Sequence, residues 1–516
     1  MHHPPDAPTR RGALVTRSPV TRSLFVTALA VTVLCPALSP VPAAASGVSV
    51  SGEPVSAAEL DRFAAAYVER RGLPGAAVAV TLDGETVHTG GYGADGGGEP
   101  LRADTPMRIA SLSKSMTALA VMQLVEGGDV ELDRPVYDYL PGFGIADPRG
   151  ARITVRQLLG QSSGMSDQGF SPVDRPRRPT SLDEAVAQMD GAGLSAAPGE
   201  EWEYHNPNYH VAARLVEVVG GRPFTEYMEE HVFAPAGMDD TSSPDPATGT
   251  VPDPARGHVR AYGLNIPAPE PEHFSTGAGG VVSTAEDMAR WVILQGDGGR
   301  APDGTELVSA ESVELMHTPS APNGRYGLGW MRRGPEDGAG ADQVWHGGMV
   351  STYSSYQVLV PSTGYGFVAL FNSGITLTEE DTWGLVEGLI ALTEGREPPV
   401  GDSVLWKVDA AFGALTLLAL VLGTRGVLRA RGWASRRAGR PRWRVGSTFL
   451  PYLVPPAALL GADSAITLVM GGREGTWLQR FYGVPAELTF LAVAALACLA
   501  VIAARTAAVV RARRSA

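Results

Sequence analysis

Ser111-Leu112-Ser113-Lys114 opens an apolar run that continues to Glu126 and stops at Gly127-Gly128. The run predicts a helix over 111–126. On a helix, positions i and i+3 share a face, so the Ser111 hydroxyl and the Lys114 amine can meet. A hydroxyl beside an amine is an activated nucleophile with its base. Serine and lysine are common, so the pair gains weight only from other elements of the chain.

Two such elements follow. Tyr204-His205-Asn206 lies in a Pro/Gly-bounded loop that begins at Pro198-Gly199. Alternate residues of an extended segment share a side, so Tyr204 and Asn206 can face one ligand. A phenol can relay a proton where a nearby cation favours its ionised form, and an amide can hold a carbonyl. Taken alone, the tripeptide is equally a packed tyrosine with an asparagine in a turn. The other element is His346-Gly347-Gly348, just after a strand candidate at Gln343–Trp345. Its glycines let backbone approach a ligand, and the Met349 amide can act as an oxyanion donor. Taken alone, it is equally a glycine bend between strands.

In their order along the chain, Ser-x-x-Lys, Tyr-x-Asn and His-Gly-Gly resemble the serine β-lactamase and penicillin-binding-protein superfamily. The branch is that of class C β-lactamases, D-Ala-D-Ala carboxypeptidases and related esterases. Leu158-Leu159 with Ser162-Ser163-Gly164-Met165, Pro235-Ala236-Gly237-Met238, Ala278-Gly279-Gly280-Val281 with Asp287, and Tyr326-Gly327-Leu328-Gly329-Trp330 are similar to further segments of that family. Gln161 stands where the family usually has His. The resemblance covers about residues 55–395. It implies that Ser111 forms an acyl-enzyme, that Lys114 tunes the nucleophile and takes its proton, and that Tyr204 relays protons. It further implies that Asn206 orients the substrate, that the amides of Ser111 and Met349 form the oxyanion hole, and that no metal or other cofactor is needed. Position 346 departs from the class C pattern, which has Lys. A histidine is mostly uncharged at neutral pH. It holds a substrate carboxylate less strongly, which moves weight from β-lactamase action toward an esterase- or peptidase-like hydrolase.

Two patterns are set aside. Gly160-Gln-Ser162-Ser-Gly164 fits a nucleophile elbow, but that turn needs a strand before it and a helix after it. Here Thr154–Leu159 reads as helix and the chain beyond Met165 as loop. His205 and His210 are separated by Pro207 and make a poor helical metal pair.

Strand candidates lie at both ends of this region. Ala76–Leu82 and Glu85–Thr89 flank a favoured Asp83-Gly84 turn, and Gln343–Trp345, Ser354–Val360 and Gly366–Phe371 come late. Helices and Pro/Gly loops fill the middle, and Thr376–Thr393 predicts a closing helix. The expected fold is α/β of the α+β type: an antiparallel sheet flanked by helices, with a helical insertion.

Net charge is −13, unevenly spread. Residues 46–402 hold 50 acidic against 23 basic side chains, a balance that repels nucleic acid. The two cysteines, Cys35 and Cys498, both sit in apolar runs outside the main domain, so no disulfide or cysteine-ligated metal is expected within it. Residues 1–45 read as an export signal, with Arg10, Arg11, Arg17 and Arg22, an apolar Leu24–Leu38 and a small-residue Ala43-Ala44-Ala45. Beyond a main domain at 46–400, residues 401–516 carry apolar segments at about 404–424, 447–471 and 484–510. Each is near the roughly 20 residues a membrane helix needs. Eight arginines follow the first segment and three close the tail, against two after the second. Positive charge stays inside. The expectation is a multi-pass protein in the lipid bilayer of the cell membrane, with the main domain outside and the C-terminus inside. Asp463, within the second segment, is a functional candidate by position, although Pro451, Pro455 and Pro456 predict a broken helix there. The expected activity is a serine hydrolase acting by an acyl-enzyme on a small-molecule or peptide substrate, with cell-wall-derived compounds among the candidates. The alternative is a membrane receptor, or penicillin-binding sensor, acylated by a cell-wall ligand without turnover.

Overall fold

Distant parts of the chain meet in one antiparallel sheet. The computed structural model describes residues 55–171, 177–243, 254–376, 378–399, 401–470 and 472–514. The expected export signal lies outside the described residues. The main-sheet strands are β1 (Gly75–Leu82), β2 (Glu85–Gly93), β3 (Met331–Arg333), β4 (Gln343–Met349), β5 (Ser354–Val360) and β6 (Tyr365–Phe371), in the order β2-β1-β6-β5-β4-β3. All neighbours are antiparallel, with Ala76 opposite Phe371 and His346 opposite Gln357. Asp83 and Gly84 take φ of 48° and 84°, the mirror-image turn that matches strand twist.

The central strands β1 and β6 are apolar throughout because both their faces are covered. On one face, Ala77, Ala79, Val368 and Leu370 join a core with α2 (Ser113–Glu126), α3 (Pro207–Val219) and α4 (Ala285–Gly296). On the other, Ala76, Val78, Val80, Phe367 and Phe371 pack with α1 (Ala57–Arg71) and α5 (Glu380–Thr393). The terminal helices are fixed by local chemistry as well as burial. Ser56 and Glu59 form a capping box at the start of α1, and Gly72 closes it in the left-handed conformation. Buried Arg71 then ties α1 to α5 through Asp381 at 2.9 Å.

Four boundaries differ by two residues or more from expectation, one being that of β2, which runs on to Gly93 rather than ending at Thr89. The helix after Ser111 starts at Ser113, because residues Ala110–Leu112 form a tighter 3-10 turn. Strand β4 runs on to Met349, so His346-Gly347-Gly348 lies within a strand rather than after one. The closing helix begins at Glu380.

The C-terminal helices pack into the same compact unit as the sheet. Leu405–Leu428 and Pro485–Arg514 are each long and apolar enough to cross a membrane. The expected second span, 447–471, is not one helix. It comprises a 3-10 turn at Leu450–Leu453 and helices Val454–Leu460 and Ala462–Val469, bent by 52°. Prolines at 451, 455 and 456 lack the N–H that a continuous helix needs, and Gly461 marks the break. Among the described residues, two helices therefore qualify alone, and three crossings result only if the bent pair counts as one.

Candidate active site

The turn carrying Ser111 is held from three sides. The backbone N–H of Ile109 donates to Val281 O at 3.0 Å, and Ile109 O accepts from Ser355 Oγ at 2.7 Å. Ser113 Oγ donates to Ala110 O at 2.7 Å and accepts from the Val281 amide at 3.2 Å. Ser115 and Thr117 tie the next turns to Leu112 O and Gly277 O, both at 2.8 Å. Ala110, immediately before the serine, has φ +48°. A non-glycine residue there costs of order 1 kcal/mol, and such strain persists only where the surroundings over-determine it.

Ser111 is partly exposed, whereas Lys114 is fully buried. Lys114 Nζ donates to Ser111 Oγ at 3.2 Å and to Ala278 O at 2.5 Å. It lies 4.8 Å from the centre of the Tyr204 ring and 5.6 Å from that of Tyr209. Burial, helped by the charge of Arg473, pushes the ammonium well below its ordinary pKa. A lysine whose charged form is disfavoured by burial is equipped to accept a proton. Burial pushes the Tyr204 phenol up to about 12, opposed by the charge of Arg473 and by the neighbouring Ser111. Asn206 caps the start of α3, and its Oδ1 is buried without a hydrogen bond among the described residues.

His346 is buried in β4. Its Nδ1 lies 2.7 Å from Gly347 O, which can only accept, so Nδ1 carries the proton. Nε2, 3.2 Å from the Tyr326 hydroxyl, is left as the acceptor of a neutral ring. Burial, reinforced by Lys114, pushes the imidazole down to about 3, against the bond to Gly347. Strand β3 pairs β4 only as far as Trp345. From His346 to Met349 the outer edge of β4 has no strand partner among the described residues, so backbone there is open to a ligand. Gly348 permits the approach of this edge to the serine turn. A Cβ on it would lie 2.4 Å from Ile109 O and 2.3 Å from Ser355 Oγ.

The structure thus brings Ser111, Lys114, Tyr204 and His346 together and carries Gly348 against the serine turn, while Asn206 follows Tyr204 at the start of α3 and Gly347 and Met349 flank Gly348 in β4. Ser162 is buried on the turn after the short helix Val155–Leu159, as the helix-then-loop reading required.

Several neighbours were not singled out from sequence. Gln161, at φ +59°, accepts from the His205 amide at 3.0 Å and from Asn208 Nδ2 at 2.6 Å, bracing the Tyr204 loop. Its replacement of the family's histidine was the available signal. Asp167 is paired with His205 Nδ1 at 2.8 Å. Arg473, counted in the sequence only as a loop charge, stacks 4.9 Å from the centre of the Tyr204 ring.

A helix-flanked antiparallel sheet with Ser-x-x-Lys at a helix start and a glycine-rich strand edge opposite it defines a class of acyl-transfer folds. Residues 60–390 match the β-lactamase family, and the chain belongs to it. The chain is 31% identical over 336 residues to Penicillin-binding protein 4 of Amycolatopsis lactamdurans, covering 61% of this chain and 84% of that protein. It is 26% identical over 370 residues to Protein flp of Staphylococcus aureus (strain MW2), covering 70% and 72%. Among solved structures, the octameric penicillin-binding protein homologue from Pyrococcus abyssi superposes with TM-score 0.55 at 27% identity, covering 67% of this chain and 78% of that one. SurE gives 0.55 at 25% identity, covering 67% and 79%.

Proposed function

We propose that the chain is a membrane-anchored serine hydrolase whose catalytic domain works outside the cell, cleaving an ester, an amide or a D-amino-acid peptide. The observation that carries the reading is the hydrogen bond from the buried Lys114 Nζ to the partly exposed Ser111 hydroxyl at 3.2 Å, with the same Nζ 4.8 Å from the centre of the Tyr204 ring. Lys114 takes the Ser111 proton as Oγ attacks the carbonyl. The amides of Ser111 and Met349 receive the oxyanion. Tyr204 passes a proton to the leaving group, and the acyl-enzyme forms. Water then attacks along the reverse route and frees Ser111.

Asn206 is suited to orient the substrate because its buried Oδ1 awaits a donor. His346 supplies no cation, which favours esterase- or peptidase-like action over efficient β-lactam hydrolysis. The apolar helices and the arginines that flank them support the anchor and its orientation. The name of the Amycolatopsis relative supports penicillin as a probe.

The test is to incubate the full chain in detergent with a nitrophenyl ester and a fluorescent penicillin, beside Ser111→Ala. Repeated turnover of the ester by wild type alone is expected. A single stable burst instead indicates the sensor, and equal behaviour of the two proteins removes the catalytic assignment.

A further inference from the structure

The loop between the bent second segment and the last helix reaches Tyr204. Arg473 lies with its guanidinium 4.9 Å from the centre of the Tyr204 ring, and its Nε is 3.7 Å from Asp167 Oδ2. The next residue is anchored twice: the Glu474 amide donates to Asp167 Oδ2 at 3.0 Å, and its carboxylate accepts from Ser171 Oγ. The base of the loop is held by buried Arg480. That side chain donates to Thr467 Oγ1 at 2.6 Å and to Arg473 O at 3.0 Å, and pairs with Asp463 at 3.3 Å. Asp463 therefore has a local role, as the counter-ion of the arginine that shapes this loop. Elsewhere the two parts also touch, where the Gly263 amide donates to Asp409 Oδ2 at 2.8 Å.

Resting on the hydrolase reading above, we infer that the active site is composite. Arg473, contributed by the membrane-associated part, is a positioning residue that acts through Tyr204, holding its ring by cation–π stacking and setting the positive field at the Ser111–Lys114 pair. Tyr204 is flanked by Lys114 and the Arg473 guanidinium. Lys114 lies 4.8 Å from the ring centre and Arg473 4.9 Å. His346 and Tyr326 face the same ring at 6.2 and 6.3 Å, and Tyr209 lies within its field. The acids around Arg473 are Asp167, already engaged by His205, and Glu203, whose carboxyl is raised by burial and by Asp167. Asp167 is the ion-pair partner of Arg473, at 3.7 Å from its Nε, and shares its charge with His205. An arginine stays cationic at working pH. Its field disfavours a second cation on Lys114, in line with the lowering of that group, and opposes the burial that raises Tyr204.

Removing the charge has a signed consequence. Without Arg473, Lys114 and Tyr204 hold their protons to higher pH. The acid limb of the pH–rate profile then moves up, by about half to one pH unit for a partly exposed charge at this range. The experiment measures kcat/KM for a neutral nitrophenyl ester against pH. It uses the full chain in detergent as wild type, Arg473→Gln, Arg473→Lys and Glu474→Ala, with Ser111→Ala as the blank. An upward shift in Arg473→Gln, its reversal in Arg473→Lys and a wild-type limb in Glu474→Ala are expected. A purely structural role changes the plateau without moving the limb. The inference is overturned if the Arg473→Gln limb coincides with wild type, if Arg473→Lys fails to restore it, or if both variants are inactive. Turnover by Ser111→Ala equal to wild type overturns the hydrolase reading instead.

Discussion

Gly348→Ala isolates the contact that brings the open edge of β4 to the nucleophile turn. A Cβ at this position falls 2.4 Å from the Ile109 carbonyl oxygen and 2.3 Å from Ser355 Oγ. Ser355 has no easy escape, since its hydroxyl already donates to the same Ile109 oxygen at 2.7 Å. Ordinary contact requires roughly 3.4 Å or more, so backbone must move by about 1 Å. The backbone that moves belongs to Ile109, two residues before Ser111, or to β4 itself. Overpacking of this kind costs about 1–3 kcal/mol, and a displacement of about 1 Å at a reacting centre costs about 10²-fold in rate. Gly347→Ala is the contrast, because its Cβ meets only the Tyr356 ring at 3.3 Å and the Trp345 ring at 3.6 Å. The assay is the rate of labelling by a fluorescent penicillin, with thermal melting recorded for each protein. Gly348→Ala should label about a hundredfold more slowly and melt lower, with Gly347→Ala affected much less on both counts. Equal labelling and melting of the two alanine variants would refute the claim that Gly348 sets the distance between strand edge and serine.

Other outcomes follow from charge and burial. Lys114→Met should reduce acylation by at least about 10³-fold. Because the folded lysine releases its proton below the unfolded value of 10.5, wild-type stability rises with pH in that window. Lys114→Met lacks this rise, a difference of at most about 1.4 kcal/mol per pH unit, checked by chemical denaturation between pH 7 and 9. His346 contributes stability that is present above the unfolded value of 6.5 and is lost as pH falls toward about 3. Buried His317 adds a loss of the same sign. His346→Gln should therefore show a smaller fall in melting temperature from pH 7 to pH 4 than wild type. Arg480→Met should lower the melting temperature more than Asp463→Asn, since the arginine side chain is 4% exposed and serves several acceptors while Asp463 is 48% exposed.

The sheet was legible where local signals agree with global packing. Asp83-Gly84 marks the hairpin, and the unbroken apolar runs of β1 and β6 reflect burial on both faces. The reach of β4 through His346-Gly347-Gly348-Met349 was not legible, because glycines lower strand propensity while serving the close approach to Ile109. Ser111 and Lys114 could be paired from helical spacing, although the serine sits in a tighter turn whose left-handed Ala110 carries no sequence signature. Tyr204 and Asn206 were visible as residue types; the Gln161 brace that shapes their loop was not, since it arises from contacts more than 40 residues apart. Arg473 was hidden for a similar reason. Its place over Tyr204 depends on Arg480, Asp463 and Asp167, residues that only the assembled fold brings together.

The central claim is that Ser111 becomes covalently acylated. Intact-mass measurement after brief exposure of the full chain to penicillin, followed by mapping of the modified peptide, tests it most directly. One adduct per chain, located on Ser111 and absent from Ser111→Ala, is predicted; an adduct on another residue, or one that persists in Ser111→Ala, would contradict the account.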